Sequence, residues 1–363
     1  MNCDAKQQAA NRLLDFYDRH GRTLPWRQER DLYRIWVSEI MLQQTGVTTV
    51  IPYYQRFITH FKTVQALAQA ERSEVLHLWQ GLGYYQRGRN LHGAAIEIVR
   101  NHGGVCPEQI QQWLALPGIG PSTAAAILAI GRNQPHTILD GNVKRVLSRR
   151  VALQEPVDST AGKKKLWQIA RSLTSVRRPG DYAQAIMDLG AMVCRQKNPS
   201  CDRCPWQGEC QAHQLGQESC FPVKAAKAKP KKPHLYQTTV LIRHADGRQL
   251  LRRRPERGLL AGLWEPLSTD PYPNPPTQPS TQSVFDLLTQ WGIEGKEIQY
   301  VGQIDHSFTH FHLTAHTFQA VCKQEAADKS QKNNHRWLNA EEIETRPRST
   351  LHKKIMALAG QTV

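Results

Sequence analysis

Up to about Leu215, apolar residues recur every three or four positions; beyond about His234 they recur every second position. The first spacing lines one face of an α-helix and the second one face of a strand. The helical period runs through RLLDFYDRH, LYRIWVSEIMLQQT, VIPYYQRFITHF, EVLHLWQGL and KKLWQIARSLTSV, with short Gly/Pro turns between them. VKAAKAKPKKPH then breaks the pattern, with five lysines between Lys224 and Lys232, two prolines and no apolar period, as a linker does. After it, LYQTTVLIR and RQLLRRR flank the hairpin signal Asp246–Gly247, and EIQYVGQIDH and FHLTAHTFQAVC alternate as two more strands. SVFDLLTQWGI and LHKKIMALA carry the helical period, and the prolines of DPYPNPPTQPS mark an exposed loop. An all-α domain followed by an α+β domain is the expected organisation.

Composition adds a partner. Lys and Arg number 47 against 31 Asp and Glu, a formal charge of +16. Such an excess repels itself in a compact chain and favours a polyanion, with nucleic acid the first choice. An acidic membrane surface is the second, but no basic amphipathic helix stands out. Asp4, Lys6, Arg12 and Asp15 interrupt any apolar core near the N-terminus, and no stretch is long and apolar enough to span a bilayer. A cytosolic protein with reduced thiols is expected.

LPGIGPSTAAAILAI, from Leu116 to Ile130, sharpens the picture. A nucleotide-binding loop needs a Lys-Ser/Thr pair after its glycines, and a dinucleotide fold needs a βαβ unit; neither is present. Two helices joined by a tight turn fit better, with Pro121 at the first position of the second helix. Backbone N–H groups of that turn suit one DNA phosphate, although an ordinary helical turn has the same pattern. Four cysteines, Cys194, Cys201, Cys204 and Cys210, fall within CRQKNPSCDRCPWQGEC. Their spacing suits zinc or an iron–sulfur cluster and does not choose between them.

Two carboxylates sit in contrasting contexts. Glu39 has Ile35, Trp36, Leu42 and Gln43 three and four residues away. An apolar helix face favours the neutral acid and raises its pKa, unless the side chain is solvated and paired. Asp140 precedes Gly141 and Asn142 where VKRVLSRR begins; the helix start with Lys144 and Arg145 is expected to keep it ionised, and a simple cap has the same pattern. Two carboxyls pushed apart in pKa divide acid and anion roles. Tyr84, Tyr85, Arg87 and Arg89 form an aromatic and basic group that reads equally as a nucleic-acid patch or as core tyrosines beside a solvated arginine face.

LPGIGPSTA, LDGNVKRVLSR, VSEIMLQQT, GLGYYQRGRNL and the four-cysteine stretch together resemble the helix-hairpin-helix DNA glycosylases, and within them the adenine DNA glycosylases. The resemblance implies an all-α helix-hairpin-helix glycosylase core with an iron–sulfur loop, followed by an α+β Nudix-like domain. It places the glycosylase domain at 1–222 (a six-helix barrel module at about 24–132, and an iron–sulfur module at about 1–23 plus 133–222), the linker at 223–234 and the Nudix-like domain at 235–363. It assigns Glu39 to protonating adenine at N7, Asp140 to stabilising the oxocarbenium ion, and Asn142 to orienting Asp140. Trp26, Arg27, Leu42 and Gln184 would line the base pocket. Gln44, Tyr84 and Arg87 would meet DNA together with Gly118, Gly120 and Ser122 of the hairpin. The cysteines would bind one [4Fe-4S] cluster, structural in role, holding Arg195, Lys197 and Arg203 towards phosphates.

The related bifunctional enzymes carry a lysine where this chain has Ser122, and a serine forms no imine, so base removal without efficient strand cleavage is expected. The C-terminal part lacks the glutamate-rich helix of a working Nudix hydrolase and is expected to recognise rather than hydrolyse. Phe308, Thr309 and His310 stand where the family has Phe-Ser-His for 8-oxoguanine recognition. His306, His310 and His312 read either as a metal set or as plain strand alternation. The expected partner is double-stranded DNA with an A:8-oxoguanine or A:G mismatch, bound by a monomer in the cytoplasm, nucleoid-associated in a bacterium. An endonuclease III-like glycosylase/lyase and a non-catalytic DNA-binding protein are the alternatives.

Overall fold

A computed structural model describes residues 3–225, 231–274, 279–322 and 334–358. The middle of the expected linker, 226–230, lies outside them. Spatial contacts divide the chain into two compact units, one of Met1–Gln69 with Asn90–Ala228, the other of Ala70–Arg89 with Lys229–Val363. The short segment carrying GLGYYQRGR thus groups with the C-terminal part, although its sequence has the helical period.

The helices in chain order are α1 (Cys3–His20), α2 (Leu32–Leu42), α3 (Val47–His60), α4 (Val64–Gln69), α5 (Arg72–Leu78), α6 (Gln86–His102), α7 (Ile110–Leu114), α8 (Pro121–Arg132), α9 (Gly141–Arg150), α10 (Thr160–Leu173), α11 (Pro179–Asp188) and α12 (Gln211–Gln214). Their starts are written locally. Asp31 caps α2 by accepting from the Arg34 amide at 2.7 Å, and Ser159 caps α10 by accepting from Gly162 N at 3.0 Å. Each such cap stabilises its helix by ~1 kcal/mol. Pro121 and Pro179 open α8 and α11, where their missing N–H costs nothing. The alanine-rich α8 packs closely against α2 and α11, because small side chains let helix axes approach. Trp36 and Trp113 meet edge to face with centroids 5.5 Å apart in this core.

The second unit is built on a mixed seven-stranded sheet. Its strands are β1 (His234–His244), β2 (Gln249–Arg253), β3 (Trp264–Glu265), β4 (Leu267–Ser268), β5 (Gly295–Ser307), β6 (His312–Cys322) and β7 (His335–Leu338), in the order β3-β2-β1-β6-β5 with β4 on β1 and β7 on β2. Gly247 at φ +91° makes the expected β1–β2 hairpin turn, and β1 runs parallel to β6 with Val240 opposite Phe318. Even-numbered residues of β1 and β6, such as Val240, Ile242 and Phe318, pack under α13 (Thr281–Gln290). Odd-numbered Leu241, Leu313 and Ala315 pack under α15 (Thr350–Leu358), so both faces of the sheet carry a core. α14 (Ala340–Thr345) starts with a capping box between Asn339 and Glu342. β3, β4, β7 and α14 escaped the sequence reading because two to six residues show no period. No helix among the described residues is long and apolar enough to cross a membrane.

Candidate functional site

A pocket opens in the first unit, and Trp26, Arg27, Glu39, Leu42 and Gln184 all line it. Residues from three separate sequence segments are therefore brought together around one pocket. Glu39 projects from α2 beside Ile35 and Leu42. Loss of hydration pushes its pKa up to about 7; the charge of Asp140 adds to the rise and Arg27 opposes it. Gln184 is 8% exposed, and its Oε1 has no hydrogen-bond partner. A buried unpaired carbonyl costs free energy until a donor reaches it.

Arg22 and Asp188 were missed by the sequence reading. Asp188, fully buried at the end of α11, accepts from Arg27 Nη1 at 2.8 Å and Nη2 at 2.9 Å, and from Arg22 Nε at 2.7 Å and its backbone amide at 3.1 Å. Burial alone would raise the Asp188 pKa, but the hydrogen bonds and charges of the two arginines outweigh it and hold the carboxyl below its usual range. One buried anion thus fixes two guanidiniums on the cavity wall. An aspartate interrupting the apolar run AQAIMDLGAMV was the available signal.

Asp140 does not line the cavity, although its charge acts on Glu39. It is the N-cap of α9, accepting from Val143 N at 2.7 Å. Here the expectation needs correction. Burial raises the Asp140 pKa by more than the amides of Val143 and Asn142 and the charges of Arg145 and Lys144 lower it, so the net direction is upward. Asn142 Oδ1 accepts from Arg145 Nη2 at 2.9 Å; the same guanidinium donates to the carbonyls of Gly190 at 2.7 Å and Cys194 at 2.9 Å. Gly190 belongs to a π-helical turn, Leu189–Val193. A Cβ there would come within 2.7 Å of Asn142, so a side chain at this position would displace the asparagine.

Cys194, Cys201, Cys204 and Cys210 line one pocket. Arg149 ties the surrounding loop down, donating to the carbonyls of Arg195 at 2.6 Å and Gln196 at 3.0 Å, with Cys194 Sγ at 3.4 Å. Four convergent thiols around one space, with a buried guanidinium beside them, fit a four-thiolate metal group. Among the described residues, Cys201 also groups with His213 and Glu218 as ligand atoms within 4.8 Å of one another, whereas His306, His310 and His312 form no such set. Arg195, Lys197 and Arg203 are exposed on the loop, Arg195 bonded to Asn198 O at 3.0 Å.

The glycine turn joins α7 to α8. Gly118 takes φ +76°, and a Cβ on it would clash with Asn90 at 2.7 Å; around Gly120 the space is open. The Ser122 hydroxyl accepts from Leu139 N at 3.0 Å, which ties the start of α8 to the residue before Asp140. Gln44 is exposed at φ +59° after α2. In the second unit Tyr84 is 47% exposed at φ +49°, while Arg87 is only 8% exposed. Arg87 is therefore not a surface cation as expected. It lies over the Trp79 and Tyr84 rings and donates to Gly83 O at 3.2 Å, holding the turn from beneath. Thr309 and His310 are exposed between β5 and β6, and Phe308 packs on Phe311 with centroids 4.7 Å apart.

The chain matches the HhH-GPD superfamily base excision DNA repair protein family over residues 37–172 and the NUDIX domain family over 238–358. It is 36% identical to the adenine DNA glycosylase of Rattus norvegicus over 94% of this chain and 76% of that relative. Against the adenine DNA glycosylase of Homo sapiens it is 36% identical over 94% of this chain and 72% of the relative. Among solved structures, a thermostable thymine-DNA glycosylase covers 58% of this chain and 98% of its own length, with TM-score 0.54 and 26% identity.

Proposed function

The chain belongs to the adenine DNA glycosylase family, and from that membership we propose that it hydrolyses the N-glycosidic bond of adenine mispaired with 8-oxoguanine or guanine, without efficient strand cleavage. The observation that carries the reading is the cavity in which Glu39 stays protonated to near neutral pH beside the unpaired Gln184 carbonyl.

Adenine must leave the helix stack to enter the cavity. Trp26 and Leu42 supply apolar walls for the flipped base, and Arg27 is fixed by Asp188. Gln184 Oε1 accepts from the exocyclic amino group. Neutral Glu39 donates its proton at N7, which turns adenine into a better leaving group. The sugar left behind is cationic, and ionised Asp140, oriented by the α9 start and Asn142, stabilises it until a water adds at C1′ and gives its proton to the Glu39 carboxylate, which completes the hydrolysis. The Asp140 charge that raises Glu39 is the same charge the sugar cation needs.

The Gly118–Gly120 turn with Ser122 holds a backbone phosphate, and Gln44 and Tyr84 fill or wedge the gap the base leaves. Thr309 and His310, with Phe308 behind them, contact the opposite base. Cys194, Cys201, Cys204 and Cys210 would hold a [4Fe-4S] cluster, whose part would be to anchor the loop, since hydrolysis transfers no electrons. The domain boundaries at 222 and 234, with the two modules of the first part, belong to the same proposal. So do a monomeric state and a nucleoid location in a bacterial cell.

The test is a duplex with one adenine opposite 8-oxoguanine, incubated with protein and then treated with hot alkali. Cleavage appearing only after alkali is expected, with a loss of about 10²–10⁴-fold in Glu39→Gln and in Asp140→Asn. Base release that survives both substitutions would refute the assignments.

A further inference from the structure

Tyr84 stands on a turn that is unusually well built. Gly81, Gly83 and Tyr84 all take positive φ, at +98°, +77° and +49°. The Trp79 indole donates to Gly83 O at 3.1 Å from inside the turn. Two further side chains leave the turn for a point more than 260 residues away in sequence. The Tyr85 hydroxyl donates to Arg348 O at 3.1 Å while facing Gly81 N at 3.5 Å. Gln80 Oε1 accepts from Arg348 N at 2.6 Å. Both backbone polar groups of Arg348 are thus held by this turn.

Arg348 is the lead-in to α15. Its own guanidinium, 4% exposed by residue, reaches Glu344 at 2.7 Å and Met356 Sδ at 3.6 Å. The next residue, Ser349, accepts from His352 N at 3.1 Å and so starts the helix. Leu351 and Ile355 of α15 then enter the cluster that contains Phe308 and Phe311. Those two phenylalanines bracket Thr309 and His310, and Phe308 N donates to Phe311 O at 2.9 Å to close that turn. A continuous path of hydrogen bonds and packed side chains therefore joins the Tyr84 turn to the Phe308–Phe311 turn inside the second unit.

We propose that Gln80, Tyr85 and Arg348 are positioning residues that, through α15, make the Tyr84 turn and the Phe308–Phe311 turn one reader of the strand opposite the adenine. The proposal rests on the DNA roles given above to Tyr84, Thr309 and His310. A wedge that slips relative to the reading turn leaves Thr309 and His310 misplaced for the opposite base. Discrimination between 8-oxoguanine and guanine then falls, although Gln80 Oε1 and the Tyr85 hydroxyl are both engaged by Arg348.

A double-mutant cycle on the full chain decides it, since spatial continuity alone does not demonstrate coupling. The quantity read is the ratio of single-turnover adenine release opposite 8-oxoguanine to that opposite guanine. Gln80→Leu with Tyr85→Phe lowers this ratio about fivefold in the parent, and changes it less than about 1.5-fold when Thr309→Ala and His310→Ala are already present. Thermal unfolding midpoints are measured alongside; if the double substitution unfolds, Tyr85→Phe alone, which keeps the ring, carries the same cycle. An unchanged ratio, or an equal drop in both backgrounds, overturns the proposal. A parent chain that releases adenine opposite neither base overturns the functional reading, and the coupling with it.

Discussion

Glu39 and Glu265 are both glutamates in desolvated surroundings, one in each unit, and their carboxyls move in opposite directions. Glu39 rises to about 7. Glu265, 1% exposed, falls to about 2. Burial pushes both upward, so partners make the difference. Glu265 accepts from Arg252 Nε at 2.8 Å and from Arg254 Nη1 at 2.9 Å and 3.0 Å, with His352 Nε2 at 3.2 Å. Glu39 has a neighbouring anion and only one opposing cation, Arg27, whose guanidinium is already engaged by Asp188. A carboxylate surrounded by donors stays ionised and pins its neighbours; one without them keeps its proton to higher pH. Asp188 follows the Glu265 pattern at the edge of the Glu39 cavity, which leaves Arg27 in place but partly neutralised.

The strongest way to break this contrast is Glu265→Gln. Removing one member of a buried ion group strands the others and costs about 3–5 kcal/mol; partial exposure of Arg252 and Arg254 favours the lower end, about 3 kcal/mol. Denaturant unfolding of the second unit reads the loss. The sign with pH follows from the depressed pKa: the contribution is present above about 4.5 and fades as pH falls towards about 2.

Glu39→Gln moves stability the other way. The folded pKa is above the unfolded one, so stability is full below about 4.5, falls as pH rises from about 4.5 to about 7, and carries the whole penalty above about 7. Gln removes the penalty, and a gain of ~3 kcal/mol at pH 8 that vanishes at pH 4 is expected in chemical denaturation. A loss of stability at pH 8 would erase the contrast.

The smallest effect is a slope. Single-turnover base release is expected to fall with rising pH above about 7, tenfold per unit (~1.4 kcal/mol), as Glu39 loses its proton. A flat profile between pH 7 and 9 would move the proton donor elsewhere.

Of the residues lining the Glu39 cavity, Trp26, Arg27, Leu42 and Gln184 were named through the family resemblance and Arg22 was not named at all, while the upward shift of Glu39 followed from Ile35, Trp36 and Leu42 near it in sequence. Asp188 was not legible, since its partners Arg22 and Arg27 lie more than 160 residues away. The Asp140 direction was misjudged because Gly141, Lys144 and Arg145 advertise a helix start, while the burial that outweighs it comes from tertiary packing. Arg87 was read as a surface cation for the same reason: sequence shows the charge and not the ring lying over it.

By itself the sequence determined the helix periods, the helix start at Asp140, the Asp246–Gly247 hairpin, the alternating long strands and the cysteine spacing. All of these act over a few residues, where backbone sterics and side-chain reach decide. Tertiary structure alone decided that Ala70–Arg89 groups with the C-terminal unit, that Arg348 receives Gln80 and Tyr85, and that burial outweighs the helix start at Asp140. Those outcomes depend on how much water is excluded and which distant charge comes within a few ångströms, and neither quantity exists until the chain has folded.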